Sequence, residues 1–156
     1  MVKFTSDNIV FSLRSAAIVI DKGRVLVQKR KDDAFWALPG GRVEMGERSD
    51  VTPIRELEEE IGVKGFTIQR LLYVAESFFE FKNEKHHEIA FYYILNTPEN
   101  FKYSNVDTFD GIEMGKNIVY SWIDLKNISN AKIKPSFLNK ELSDIVPNIK
   151  HIIDCE

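Results

Sequence analysis

The chain has 156 residues, 44% of them hydrophobic, with 21 basic against 24 acidic side chains, a net charge of -3 and a pI near 5.7. This balance argues against a surface dedicated to a nucleic acid polymer, and no apolar run approaches the roughly 20 residues of a membrane span. The first residues lack a signal peptide's apolar core and the single cysteine, Cys155, allows no internal disulfide, so a cytoplasmic protein of one domain, residues 1–156, is expected.

In chain order, residues 10 to 20, rich in Val, Ile and Ala, and residues 24 to 30 flank Asp21-Lys22-Gly23 and read as a β-hairpin. Leu38-Pro39-Gly40-Gly41 is an apolar approach ending in turn residues, and it leads to a loop carrying Glu44 and Glu47. Ser49 or Asp50 is then placed to cap a helix, Pro53 fits its first turn, and Gly62 fits a left-handed stop. A second strand pair, about 67 to 81 and 88 to 96, flanks the polar stretch Lys82 to His87, with Val119 to Ile123 as a further strand. Pro135 begins a helical pattern through Phe137, Leu138, Leu142 and Ile145 that Pro147 ends. Strands around a central helix, with another helix near the C-terminus, predict an α/β or α+β sandwich without repeats or linkers.

The central helix has an unusual polar face. With Glu56 at zero on a wheel of roughly 100° per residue, Glu60 falls about 40° to one side and Glu59 about 60° to the other, while Ile54, Leu57 and Ile61 lie opposite. Like charges at these spacings repel, and a hard divalent cation such as Mg²⁺ or Mn²⁺ offsets that repulsion through carboxylate oxygens.

Residues 41 to 63 read G-x5-E-x7-R-E-U-x-E-E-x-G-U, with U a bulky aliphatic, and meet every defined position through Gly41, Glu47, Arg55, Glu56, Leu57, Glu59, Glu60, Gly62 and Val63. This resembles the complete Nudix box of the Nudix, or MutT-like, hydrolases, and Phe35 to Gly41 resembles the approach that usually precedes it. Thr52-Pro53 departs from the small residue and helix former more usual there. The resemblance implies the Nudix fold, a mixed sheet packed between helices. It also implies Mg²⁺- or Mn²⁺-dependent hydrolysis of a nucleoside diphosphate linked to another moiety, with water attacking phosphorus.

By the same resemblance Glu56, Glu59 and Glu60 are metal ligands, the Gly40 carbonyl is an additional one, and Gly41 and Glu47 support the site. Arg55 orients a carboxylate, and Glu56 or Glu59 is the general base, since a carboxylate can deprotonate a water whose pKa a metal has lowered. Some members of the family use a glutamate outside the box, for which Glu88, at the start of its strand, and Glu113, in a loop, are the candidates.

Substrate contacts are sought in Arg14 and Arg30, near the box, and in Phe35, Trp36, Phe78, Phe79, Tyr92 or Tyr103 as stacking surfaces, with Glu88 and Glu113 nearby. Phe78 and Phe79 point to opposite faces of a strand, so at most one lines a pocket. Adjacent His86 and His87 read as solvated loop residues. The substrate expected is a nucleotide: a nucleoside triphosphate split to monophosphate and pyrophosphate, or else ADP-ribose, a nucleotide sugar or a dinucleoside polyphosphate. A nucleotide-sensing regulator without catalysis is the alternative of another class, although such a protein is expected to show a broken box. Family members are often dimers, which makes a homodimer a further expectation.

Overall fold

The computed structural model describes residues 1–155. Strand β1 (Lys3–Ser6) leads into the hairpin of β2 (Ile9–Asp21) and β3 (Arg24–Arg30), then β4 (Gly40–Arg42) and helix α1 (Thr52–Ile61). A long hairpin of β5 (Thr67–Phe81) and β6 (Glu84–Asn96) follows, then β7 (Thr108–Asp110), β8 (Ile118–Asp124), a 3-10 turn, helix α2 (Phe137–Glu141) and β9 (Lys150–Cys155).

The strands form one mixed sheet in the order β7-β8-β3-β2-β6-β5-β9, with β1 and β4 paired to the front half of β2. β2 pairs with β6, and β5 with β9, in parallel, and the other pairs are antiparallel. Because side chains alternate along a strand, β2 sends Ala16 and Ile18 to one face and Ala17 and Val19 to the other. Leu57 and Ile61 of α1 join the second set with Leu26, Tyr93 and Tyr120, all buried. Leu138 and Leu142 join the first with Tyr73 and Tyr92, so the sheet is covered by α1 on one side and by α2 and the 3-10 turn on the other. Burying each such side chain stabilises the fold by about 1.5–3 kcal/mol. This is an α+β fold.

Several elements differ from the sequence expectation. The β5-β6 turn is only Lys82-Asn83, both in left-handed conformation, so the stretch expected as a loop to His87 is strand from Glu84. His86 and His87 are therefore not solvated loop residues: they stack on Phe79 and Phe78 across the strand pair, at 5.0 and 4.5 Å between ring centroids. That aromatic contact extends the ladder through a polar sequence, and it leaves Glu88 in mid-strand rather than at its start.

The cap at α1 also differs. Val51 occupies the position without a side-chain bond. Ser49 instead shares a 2.6 Å hydrogen bond with the Tyr93 hydroxyl, and Asp50 accepts from Arg48. Pro53 lies in the first turn, and Gly62 ends the helix at φ 71°. The C-terminal helix covers only Phe137–Glu141, where the Ser143 hydroxyl bonds back to the Lys140 carbonyl, a local competition that ends short helices. Strands β1, β4, β7 and β9 lie outside the expected set.

Candidate active site

Two consecutive glycines connect the sheet to α1. Gly41 stands opposite Ser15 and Gly40 opposite Ala16 in the β2-β4 pairing. A Cβ on Gly40 would run into the Ser15 carbonyl and Ala16, and one on Gly41 would fall inside the Glu56 carboxylate. Only glycine at position 40 lets β4 lie this close to β2, and glycine at position 41 leaves the Glu56 carboxylate its place beside β4.

Along the ledge from Glu47 to Glu60 the charges are tied together. Arg55 donates from Nε to Glu47 Oε2 at 2.6 Å and from Nη2 to Glu47 Oε1 at 3.1 Å, a bidentate pair. Its Nη1 reaches Glu56 Oε1 at 3.1 Å and Glu59 Oε2 at 3.3 Å. Thr52 adds a 2.6 Å hydroxyl bond to Glu47. The Arg55 guanidinium, with Thr52 and the Glu44 amide, holds the Glu47 carboxyl down to about 2, against a usual 4.5. The same partnership, led by Glu47, raises Arg55 further.

Glu60 has a different setting from its neighbours. It is buried behind the helix and accepts a 2.6 Å hydrogen bond from the Tyr120 hydroxyl. Burial raises its pKa well above the usual carboxylate range, the Tyr120 bond opposes that, and the nearby Glu56 charge adds to it. Burial, then the Glu60 charge, also pushes the Tyr120 hydroxyl far up. Glu59 is half exposed. Among the described residues no three Asp, Glu, His or Cys side chains converge into a ready-made cation cage. The ledge is instead an open row in which Arg55 bridges three carboxylates.

Glu113 belongs to this side of the sheet. Its loop is hung from α1 by a 2.7 Å bond from the Ile112 amide to the Glu60 carbonyl, and Glu113 pairs with Lys116 at 3.0 Å. Glu113, followed by Glu60 and Glu56, raises Lys116.

The other face carries a cavity of about 830 Å³, whose lining includes Ala16, the β2 partner of Gly40, and Leu38, two residues before it. Arg14, Arg30, Trp36 and Glu88 line it, with Phe35, Phe79, Tyr92, Lys134 and Asp154. Phe78 points away, and Tyr103 stacks on Phe109 at 3.7 Å within the α1-side core. The substrate candidates thus divide: Arg14, Arg30, Phe35, Trp36, Phe79, Tyr92 and Glu88 share the cavity, Phe78 and Tyr103 do not, and Glu113 stays with the carboxylate ledge.

The sequence reading missed Tyr120, Lys116 and Asp154. Tyr120 was visible only as a strand residue whose partner lies 60 positions away. Asp154 sits on β9, where each face carries one isoleucine beside a polar residue, Ile152 with Asp154 and Ile153 with His151, so no apolar alternation marks the strand.

A mixed sheet that delivers a Gly-Gly strand to an acidic, arginine-bridged helix defines the architecture of one hydrolase family. Residues 12–141 match the NUDIX domain model, and the chain belongs to that family. In fold it is similar to the MutT protein of Methanosarcina mazei Go1, with a TM-score of 0.61 and 20% identity over 89% of this chain and 94% of that one. It is also similar to an ADP-ribose pyrophosphatase from Streptococcus suis, with a TM-score of 0.56 and 14% identity over 92% and 98%. In sequence it is 42% identical over 45 residues to a putative 8-oxo-dGTP diphosphatase of Bacillus subtilis, 29% of this chain and 30% of that protein. A putative mutator protein MutT4 of Mycobacterium tuberculosis is 38% identical over 58 residues, 37% of this chain and 22% of that protein. These curated relatives are therefore matched over less than a third of their length.

Proposed function

We propose that this protein is a nucleoside triphosphate pyrophosphohydrolase of MutT type, releasing a nucleoside monophosphate and pyrophosphate. The observation that carries the proposal is the Arg55-bridged row Glu47, Glu56 and Glu59, backed by Glu60, in a fold whose other face carries a cavity lined by the guanidiniums of Arg14 and Arg30. The sequence likeness to the Bacillus subtilis diphosphatase supports the triphosphate reading.

The donors present fit a hard divalent ion. Glu60, raised first by burial and further by the like charge of Glu56, stands beside that carboxylate, and every donor is oxygen. Glu56, Glu59 and Glu60, with the Gly40 carbonyl, would hold Mg²⁺ or Mn²⁺. Such an ion supplies charge neutralisation on the phosphate oxygens and makes water more acidic. Glu56, tucked against Gly41 and fixed by Arg55 at 3.1 Å, takes the proton of the attacking water, since a base must be held in place to work. Glu47 keeps Arg55 aimed at Glu56 and Glu59. Arg14 and Arg30 attract the anionic end of the substrate from the cavity side. The free, exposed Cys155 supports a cytoplasmic setting for this activity, and among the described residues no helix is long and apolar enough to cross a membrane.

The test is phosphate and pyrophosphate release from nucleoside triphosphates, ADP-ribose, nucleotide sugars and dinucleoside polyphosphates, with Mg²⁺, with Mn²⁺ and with chelator. Metal-dependent pyrophosphate release from triphosphates is the expected result. A preference for ADP-ribose or a nucleotide sugar would keep the chemistry and replace the substrate, and inactivity of folded protein across the panel would favour a nucleotide-sensing regulator.

A further inference from the structure

One row of side chains crosses four strands on the cavity face. Ser12 of β2 stands opposite Glu88 of β6, Glu88 opposite Ser77 of β5, and Ser77 opposite Asp154 of β9. Glu88, Ser77 and Asp154 line the cavity. Ser12 is buried and donates its hydroxyl to Glu88 Oε2 at 3.1 Å, which fixes the carboxylate while leaving Oε1 and a lone pair of Oε2 for a ligand. Phe79, two residues along β5 from Ser77, and Trp36 from the loop after β3 supply flat apolar surfaces in the same cavity. Arg14 and Arg30 make no side-chain hydrogen bond or ion pair among the described residues, so their donors remain for an anion.

The chemistry of Glu88 discriminates among flat ligands. An ionised carboxylate only accepts, so a planar edge meets it well when two neighbouring positions both donate. Guanine has such an edge in its ring N1-H and exocyclic amino group. Adenine and cytosine place a ring nitrogen acceptor beside their amino group, and uracil and thymine flank their single N-H with two carbonyls. Each of these sets a lone pair against the carboxylate.

We propose that Glu88 is the specificity-determining residue of this cavity and selects a nucleotide whose base presents the paired donors of guanine. The inference rests on the nucleotide reading of the site but not on its hydrolytic chemistry. The base lies in the aromatic part of the cavity with its donor edge on Glu88, and its phosphates run past Arg14 and Arg30 toward the Gly40-Gly41 strand.

The experiment is calorimetric binding of GMP, IMP, AMP, CMP and UMP without metal and with chelator, to the wild type and to the Glu88→Gln and Ser12→Ala variants. Pyrophosphate release from the corresponding triphosphates is measured separately. GMP should bind about 10- to 100-fold more tightly than AMP, CMP or UMP, with IMP, which lacks the amino group, in between. Glu88→Gln, which turns one acceptor into a donor, should remove most of that advantage while changing AMP binding by less than about threefold. Ser12→Ala, which frees the carboxylate to turn, should weaken GMP binding by about three- to tenfold. Equal affinities for all five, an equal loss of all five in Glu88→Gln, or no measurable binding of any would each overturn the proposal. Triphosphate hydrolysis without base preference would sink this inference alone, whereas Glu88-dependent GMP binding without hydrolysis would sustain it and defeat the hydrolase reading.

Discussion

The Tyr120 hydroxyl donates to Glu60 Oε2 at 2.6 Å in the buried layer between β8 and α1. This bond opposes the rise in the Glu60 pKa that burial imposes. Tyr120→Phe should therefore cost about 1–3 kcal/mol in thermal or denaturant unfolding, because a buried acceptor loses its donor. It should also weaken Mg²⁺ binding more at pH 6 than at pH 8, since Glu60 must then give up its proton from a higher pKa. Equal weakening at the two pH values would separate Glu60 from metal binding.

Glu47 gives a stability effect of defined sign. Its folded pKa is about 2 and its usual value 4.5, so its contribution is complete above pH 4.5 and disappears as pH falls through about 2. The pair is partly buried, and solvent screening leaves about 1–2 kcal/mol of the effect. Metal-free Glu47→Gln should melt below the wild type at pH 7, and the gap should narrow from pH 4.5 downward. A gap that widened in acid would contradict the Arg55 pairing as its cause.

Gly41→Ala tests the approach of β4 to the helix. The added Cβ would meet the mobile end of Glu56 rather than backbone, so the fold should survive with a loss within about 1–2 kcal/mol. Turnover should fall by about tenfold or more, because the carboxylate is turned from its place beside Arg55. Mn²⁺ affinity measured by electron paramagnetic resonance should drop in parallel. Normal turnover with weakened Mn²⁺ binding would remove Glu56 from the role of base.

What was legible in the sequence was set by short spacings. From Gly41 to Gly62 the glycine approach, the acidic row and the helix stop follow from local rules, because a helix converts spacing directly into geometry. The hairpin of β2 and β3 was equally readable, its turn residues Lys22 and Gly23 both taking positive φ. The rest depended on distant partners. Ser49 reads as a cap, but Ser15 and Tyr93 take its carbonyl and hydroxyl. Glu60 reads as one of three equal carboxylates until Tyr120, 60 positions on, donates its hydroxyl to it. The histidine pair reads as polar until Phe78 and Phe79 lie opposite, and Asp154 enters the cavity through a parallel pairing with β5 that no local pattern encodes.

Leu57 and Ile54 separate core from margin on one helix. Leu57 is fully buried, whereas Ile54 is only half buried at the helix start. Leu57→Ala should cost about 2–5 kcal/mol, and Ile54→Ala clearly less, in denaturant unfolding. If the two costs were equal, α1 would not pack through the Leu57 face.

Glu59 is the carboxylate whose loss separates chemistry from stability most cleanly. It is 50% exposed and its contact with Arg55 is the longest of that residue's three ion pairs, at 3.3 Å. An exposed pair of this kind contributes about 0–1 kcal/mol, and Glu59→Gln also removes a negative charge from a row in which Glu56 and Glu60 already repel. Metal-free Glu59→Gln should accordingly melt within a few degrees of the wild type. In the presence of Mg²⁺ the wild type should gain stability by mass action and the variant should gain less at the same concentration. Its turnover should fall by orders of magnitude, because the proposed metal site would lose a charged ligand. Unimpaired turnover together with a full Mg²⁺-induced rise in Tm would show that the cation is held by Glu56 and Glu60 without Glu59.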